Sequence, residues 1–282
     1  MNLAVLKTVK MYVGGAFIRS ESGATAPFYK KGTKEEIARV CVASRKDFRN
    51  AVVAAKAGEK SWSTKTAYNR SQILYRMAEM SQGKQDELVN LLKDTMGMTP
   101  AAAFKEVTAA IDTFVYYAGW CDKYQQVIGA VNPVAAPYHN FTGPEHMGVI
   151  VHIDSNSFSL AKLVDNICVI LVGGNSVVSI VSPECSPVVT TLGEIFETSD
   201  LPPSAVNLLS GDYKSILSII SEHMEVKGIS FQNEDKAEYY ELRSKSVDNM
   251  KRIIPNKMGT RQSLDLVLDF VEQKTVWHPI GY

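Results

Sequence analysis

Between residues 148 and 231, short β-branched runs alternate with longer segments of helical character, and no other stretch constrains the fold so tightly. The runs fall at 148–153, 176–181, 205–209 and 226–231. Strands that alternate with helices make successive βαβ units, which specify a parallel sheet covered by helices on both faces. Such a sheet binds ligands at the carboxyl ends of its strands, so the turns after these runs are where a nucleotide would sit.

At 282 residues the chain can bury a substantial core, as one large domain or a domain with an appendage. Lys+Arg 30 balance Asp+Glu 30, and no block of one sign stands out. Nucleic acid and membrane are therefore poor partners. Apolar runs such as 167–172 are far too short to span a bilayer, and the amino terminus lacks the apolar core of a signal peptide. The four cysteines (Cys41, Cys121, Cys168, Cys185) include no CxxC pair, the pattern of reduced, packed thiols. A cytoplasmic location is expected. Cys168 falls in a helical segment and reads as buried, whereas Cys185, between Pro183 and Pro187, reads as exposed. The five histidines (His139, His146, His152, His223, His278) lack metal-ligand spacing, so no metal site is expected.

Upstream, Tyr12-Val13-Gly14-Gly15-Ala16-Phe17-Ile18 reads as a hairpin about a Gly-Gly turn. A short strand is expected over 40–43. Ser44-Arg45-Lys46-Asp47 is a capping box that opens a helix reaching about Lys60. Further helices are expected over 68–80 and 86–96. Pro100 begins a long one to about Gln126, with a buried stripe of Phe104, Val107, Ile111, Val115, Ala118 and Cys121. The proline-rich segment 127–147 reads as a projecting hairpin. A last parallel strand at 251–254, a short helix over 263–270 and a terminal strand at 274–280 complete the chain.

Several separated motifs resemble the aldehyde dehydrogenase superfamily. They are Trp62 with 66–74, Pro144-Glu145-His146-Met147-Gly148-Val149-Ile150, Gly174-Asn175-Ser176-Val177-Val178, and the LPPSAVNLLSG stretch 201–211. Residues 271–277 resemble that family's terminal strand, which pairs across a subunit interface. The resemblance implies an α/β fold: a Rossmann-like parallel sheet with helices on both faces, N-terminal helices, and a β-hairpin/C-terminal strand oligomerisation arm. It assigns 1–126 and 148–260 to a cofactor-domain fold and 127–147 with 261–282 to the arm. By the same resemblance, the family's catalytic thiol domain is expected to be absent, its place falling between Asn256 and about Arg261. Residues 197–202 and 249–252 look most like the non-catalytic second unit of two-domain family-sixteen members.

Against that family's chemistry, the chain offers substitutes that do not fit. No cysteine lies in a catalytic-loop sequence or beside an activating His or Lys. The oxyanion-donor Asn position holds Ser157, with Asn156 one residue away. The position of the general base falls at Ile253-Ile254-Pro255-Asn256, without a carboxylate. Ser179-Ile180-Val181-Ser182 supplies no cation for a ribose. The phosphate turn reads Gln232-Asn233-Glu234-Asp235, two carboxylates where an anion would rest. The resulting expectation is no catalytic, cofactor-binding or metal residues and a vestigial NAD site. The function expected is a structural, oligomerisation or regulatory module whose partner is itself, as a homodimer, or a catalytically active aldehyde dehydrogenase. Two rival expectations are an NAD(P)-binding oxidoreductase that works only with a partner subunit, and a sensor of a non-nucleotide ligand in the vacant groove.

Overall fold

The computed structural model describes residues 6–154, 157–232, 235–255 and 262–281. The chain begins with β1 (Lys7–Val9), β2 (Met11–Val13), β3 (Ala16–Ile18), β4 (Thr25–Tyr29) and β5 (Glu36–Cys41). Gly14 and Gly15 have φ of +68° and +78°, the paired left-handed conformation that a two-residue hairpin needs between β2 and β3. Strands β1, β5 and β4 make a small sheet of their own, of which only β5 is foreshadowed in the sequence.

Four helices follow: α1 (Arg45–Ser63), α2 (Ala67–Gly83), α3 (Gln85–Met96) and α4 (Pro100–Ala118). The Ser44 capping box forms as expected, with Asp47 N–H donating to Ser44 Oγ and Ser44 N–H to Asp47 Oδ2. The long helix expected from Pro100 to Gln126 instead stops at Ala118, and a separate α5 (Tyr124–Ile128) follows a run of turns. Its stripe also differs. Phe104 and Val115 are 54% and 43% exposed, and the buried face is Ala103, Val107, Ala110, Phe114 and Tyr117. Apolar residues lie on more than one side of this helix, so periodicity alone does not choose the side that packs.

Next come β6 (Ala130–Asn132), β7 (Tyr138–His146), β8 (Val149–Ile153), α6 (Leu160–Val172), β9 (Ser176–Val181), α7 (Val188–Glu197), β10 (Val206–Ser210) and α8 (Leu217–Glu222). The chain ends with β11 (Val226–Phe231), α9 (Lys236–Lys245), β12 (Arg252–Pro255), α10 (Leu264–Leu268) and β13 (Val271–Pro279). Among the described residues the main sheet has the order β12-β11-β8-β9-β10-β2-β3. From β12 to β10 every neighbour is parallel. Strands β8, β9 and β10 are buried throughout, as the centre of a doubly covered sheet requires.

Helices α2, α3, α4, α6 and α7 cover the face that carries Ile150, Val177 and Val206. Helices α1, α8 and α9 cover the opposite face, against Val149, Val151 and Ile229. Trp62 at the end of α1 is fully buried, and its Nε1–H donates to Leu171 O at 2.8 Å. The arm segments meet in a third, antiparallel sheet, β13-β7-β6, paired from Val271↔His146 to Pro279↔Tyr138. Beyond Val271 every residue of β13 is exposed.

Candidate functional site: the switch-point crevice and the arm

The strand order reverses between β8 and β11, because β9 and β10 extend the sheet to one side of β8 while β11 and β12 extend it to the other. A crevice at this switch point is where an open α/β sheet places a ligand. It is bounded by the segments after β8 and β11, tied together where Gln232 N–H donates to Ile153 O at 3.0 Å.

Asp235 forms the N-cap of α9. Its Oδ1 accepts from Ala237 N–H at 2.9 Å and Glu238 N–H at 3.2 Å. The first-turn donors of this helix therefore meet a carboxylate of the chain itself. Helix α6 repeats the arrangement with a residue from another element. Glu106 of α4 accepts from Ala161 N–H at 3.0 Å and from the Ser159 hydroxyl at 2.6 Å, while Ser159 Oγ caps Lys162 N–H. Acidic groups at these positions are favourable to the helix macrodipole.

Beside the crevice, the Tyr213 hydroxyl donates to Glu238 of α9, and Lys214 Nζ lies 2.6 Å from the same carboxylate. The Tyr213 ring also packs edge-on against Phe231, with centroids 6.3 Å apart. These contacts draw α9 against the segment that precedes α8. Asp154, buried at the end of β8, accepts from Ser182 N–H at 3.2 Å. Sequence reasoning found Asp235, whose partners are local. It missed Glu106 and Glu238, whose partners lie on other elements and leave no local signal.

Ser157, which the sequence reading set at the family's oxyanion-donor position, is exposed just after β8; Ser155 and Asn156 lie outside the described residues, as do Asn233, Glu234 and Asn256. Ile253, Ile254 and Pro255 end β12 without a carboxylate. Next to them, Lys162, Asp165, Asn166, Gln232 and Asp269 help line a cavity of about 30 Å³, room for a water or two. Gln262 bonds to one of these residues, its N–H donating to Asp165 at 3.0 Å, and its Nε2 donates to Thr113 Oγ1 at 3.1 Å.

All four cysteines are buried. Cys168 is so as expected, but Cys185 corrects the sequence reading. Ser182 caps a short 3₁₀ turn over Pro183–Cys185, which folds the thiol inward to 3.3 Å from Thr95 Oγ1. Burial pushes Cys121 and Cys185 up to about 12, and Cys168 well above its ordinary range, so each of the three is a thiol at neutral pH.

Asn175, in the Gly-Asn-Ser-Val-Val motif, is a structural hub. Its Oδ1 accepts from Met147 and Gly148 N–H at 2.7 and 2.9 Å, and its Nδ2 donates to Ile170 O and Phe270 O at 3.1 and 2.7 Å. One side chain thereby ties the lead-in of β8, the end of α6 and the approach to the arm. The arm sheet has exposed residues on both faces, including Val131, Tyr138, Phe141, Val276 and Trp277.

A mixed α/β fold built on a parallel sheet agrees with the comparisons. Residues 17–261 match the aldehyde dehydrogenase family, and the chain belongs to that family. Among curated relatives, it is 30% identical over 261 residues to a cytosolic 10-formyltetrahydrofolate dehydrogenase of Xenopus tropicalis, covering 89% of this chain and 28% of that protein. The human counterpart is 29% identical over 283 residues, covering 96% and 31%. Among solved structures, an NAD+ complex of an aldehyde dehydrogenase from Bacillus cereus superposes with a TM-score of 0.82 at 24% identity. That match covers 88% of this chain and 50% of the other. A succinate-semialdehyde dehydrogenase from Burkholderia pseudomallei gives 0.82 at 23% identity, covering 87% and 50%. The chain thus spans under a third of the curated relatives and about half of the solved ones.

Proposed function

We propose that this protein is a catalytically inactive member of the aldehyde dehydrogenase family, serving as a structural, oligomerisation or regulatory module with a vestigial NAD site. The carboxylate of Asp235 on the first-turn N–H groups of α9 carries this reading. A dinucleotide phosphate needs such donors. A carboxylate already bonded to them fills the position and opposes a second anion by roughly 1 kcal/mol or more per like-charge approach. The bonds from Tyr213 and Lys214 to Glu238 support it, since they draw the start of α9 against the segment before α8, beside the crevice. The residues present do not fit the cofactor, and the buried thiols supply no nucleophile.

The partner in this reading is a second copy of the chain or a catalytically active aldehyde dehydrogenase, met through the arm. The proposed location is the cytoplasm. The curated relatives named above are cytosolic, and among the described residues no helix is long and apolar enough to cross a membrane.

Titration with NAD+ and NADH, followed by thermal shift and nicotinamide fluorescence, tests the central claim. No saturable change is expected. Saturable binding would overturn the vestigial-site reading and favour an oxidoreductase that needs a partner subunit. A small non-nucleotide molecule retained through purification would favour a sensor instead.

A further inference from the structure

The β7–β13 register sets His139 directly opposite His278. Directly opposed residues of an antiparallel pair share one face, with Cβ atoms roughly 4.5–5.5 Å apart. Both histidines are exposed, and neither has a hydrogen-bond or ion-pair partner among the described residues. The His139 ring lies 5.5 Å from the Phe141 ring, its neighbour on the same face of the strand. Glu145 and Glu272 lie six positions further along the same two strands, where they pair with Lys274 and Arg252.

We propose that His139 and His278 form a two-imidazole site for a borderline divalent cation, Zn²⁺, Ni²⁺ or Cu²⁺, on the exposed face of the arm. Neutral imidazole suits these ions, whereas Mg²⁺ and Ca²⁺ prefer oxygen donors. Two rings on opposed strands can converge on one ion at the usual metal–nitrogen distance of about 2.0–2.1 Å. No group of three or more His, Cys, Asp or Glu suited to a metal occurs among the described residues. Water therefore completes the shell, or a donor from another molecule does, including the same pair in a second copy. The bound ion cross-links the last strand to β7 and fixes the register of a sheet that has little other cover. The site needs only that register, so it stands whether or not the proposed function holds.

The test is titration of the purified full chain with ZnCl₂ and CuCl₂ at neutral pH, read by calorimetry and by histidine ring resonances. Saturable binding is expected, tighter for Cu²⁺ than for Zn²⁺, with Zn²⁺-induced shifts at His139 and His278. H139A and H278A should each weaken binding roughly tenfold or more, the scale on which even outer-shell partners act. The variants H139Q and H278Q, with circular dichroism, separate loss of a ligand from loss of the fold. A doubled mass on adding Zn²⁺ that H278Q abolishes would add support. Binding that survives in both histidine variants, binding that follows His146 or His223 instead, or no saturable binding at all overturns the proposal.

Discussion

At the scale of single residues, burial sets the chemistry. His152 sits in the middle of β8, fully buried, with neither ring nitrogen hydrogen-bonded. Its register neighbours are Ser179 of β9 and Ser230 of β11, so it belongs to a short polar row beneath α6. Burial pushes its imidazole down to about 3 from an ordinary 6.5. Below pH 6.5 the unfolded chain takes up a proton that the folded chain refuses until about pH 3. Stability conferred by the neutral ring is therefore complete above that window and lost as pH falls through it. Between about pH 7 and pH 5 the loss is roughly 2 kcal/mol. Urea unfolding across this range should show a shallower acid slope in His152→Leu than in the wild type. Equal slopes would count against a neutral buried ring. Cys185 teaches the same lesson, because flanking prolines suggested exposure and a capped turn buries it.

Among the elements, α1 is held by a close approach that its own sequence conceals. Gly58 lies inside this helix, where Ala is ordinarily preferred by about 1 kcal/mol. A Cβ there would lie 2.3 Å from the carbonyl carbon and oxygen of Ser204, backbone atoms that cannot turn aside. Gly58→Ala should therefore destabilise the protein, by about 1–3 kcal/mol or more, as overpacking does. A gain in Tm would show that the loop before β10 yields easily. Helix α9 makes the complementary point. Its apolar contribution to the core is small, with Leu242 its one buried residue, and polar contacts at its start supply much of its anchoring. Caps and clamps orient a helix that has little hydrophobic face.

For the whole molecule, the arm is the least covered part. A three-stranded sheet gains independent stability from a buried face, yet β13 is exposed beyond Val271, with Trp277 at 59% and Val276 at 45%. Among the described residues no strand pairs with its outer edge, a template for strand addition. Mass measurement in solution should give a multiple of the 31.1 kDa chain, and deletion of residues 274–282 should reduce it to a monomer. A strict monomer that loses nothing on that deletion would exclude the arm as an assembly surface.

What the sequence determined by itself is local or periodic. The runs at 176–181 and 226–231 coincide with β9 and β11, the Ser44 box caps α1, and Gly14-Gly15 turns the first hairpin. These features depend on side-chain alternation, on a hydroxyl three residues from an amide, or on φ above zero, all of which neighbouring residues express. Asp235 was legible for the same reason. Tertiary structure alone decided which face of α4 is buried, and that Glu106 and Glu238 reach donors on other elements. It also decided that His139 faces His278. Packing chooses among apolar faces that periodicity leaves equivalent, and strand register joins residues far apart in the chain. The Asp235 cap was therefore readable because its partners are local, and the clamp and the paired histidines only where the folded chain brings distant side chains together.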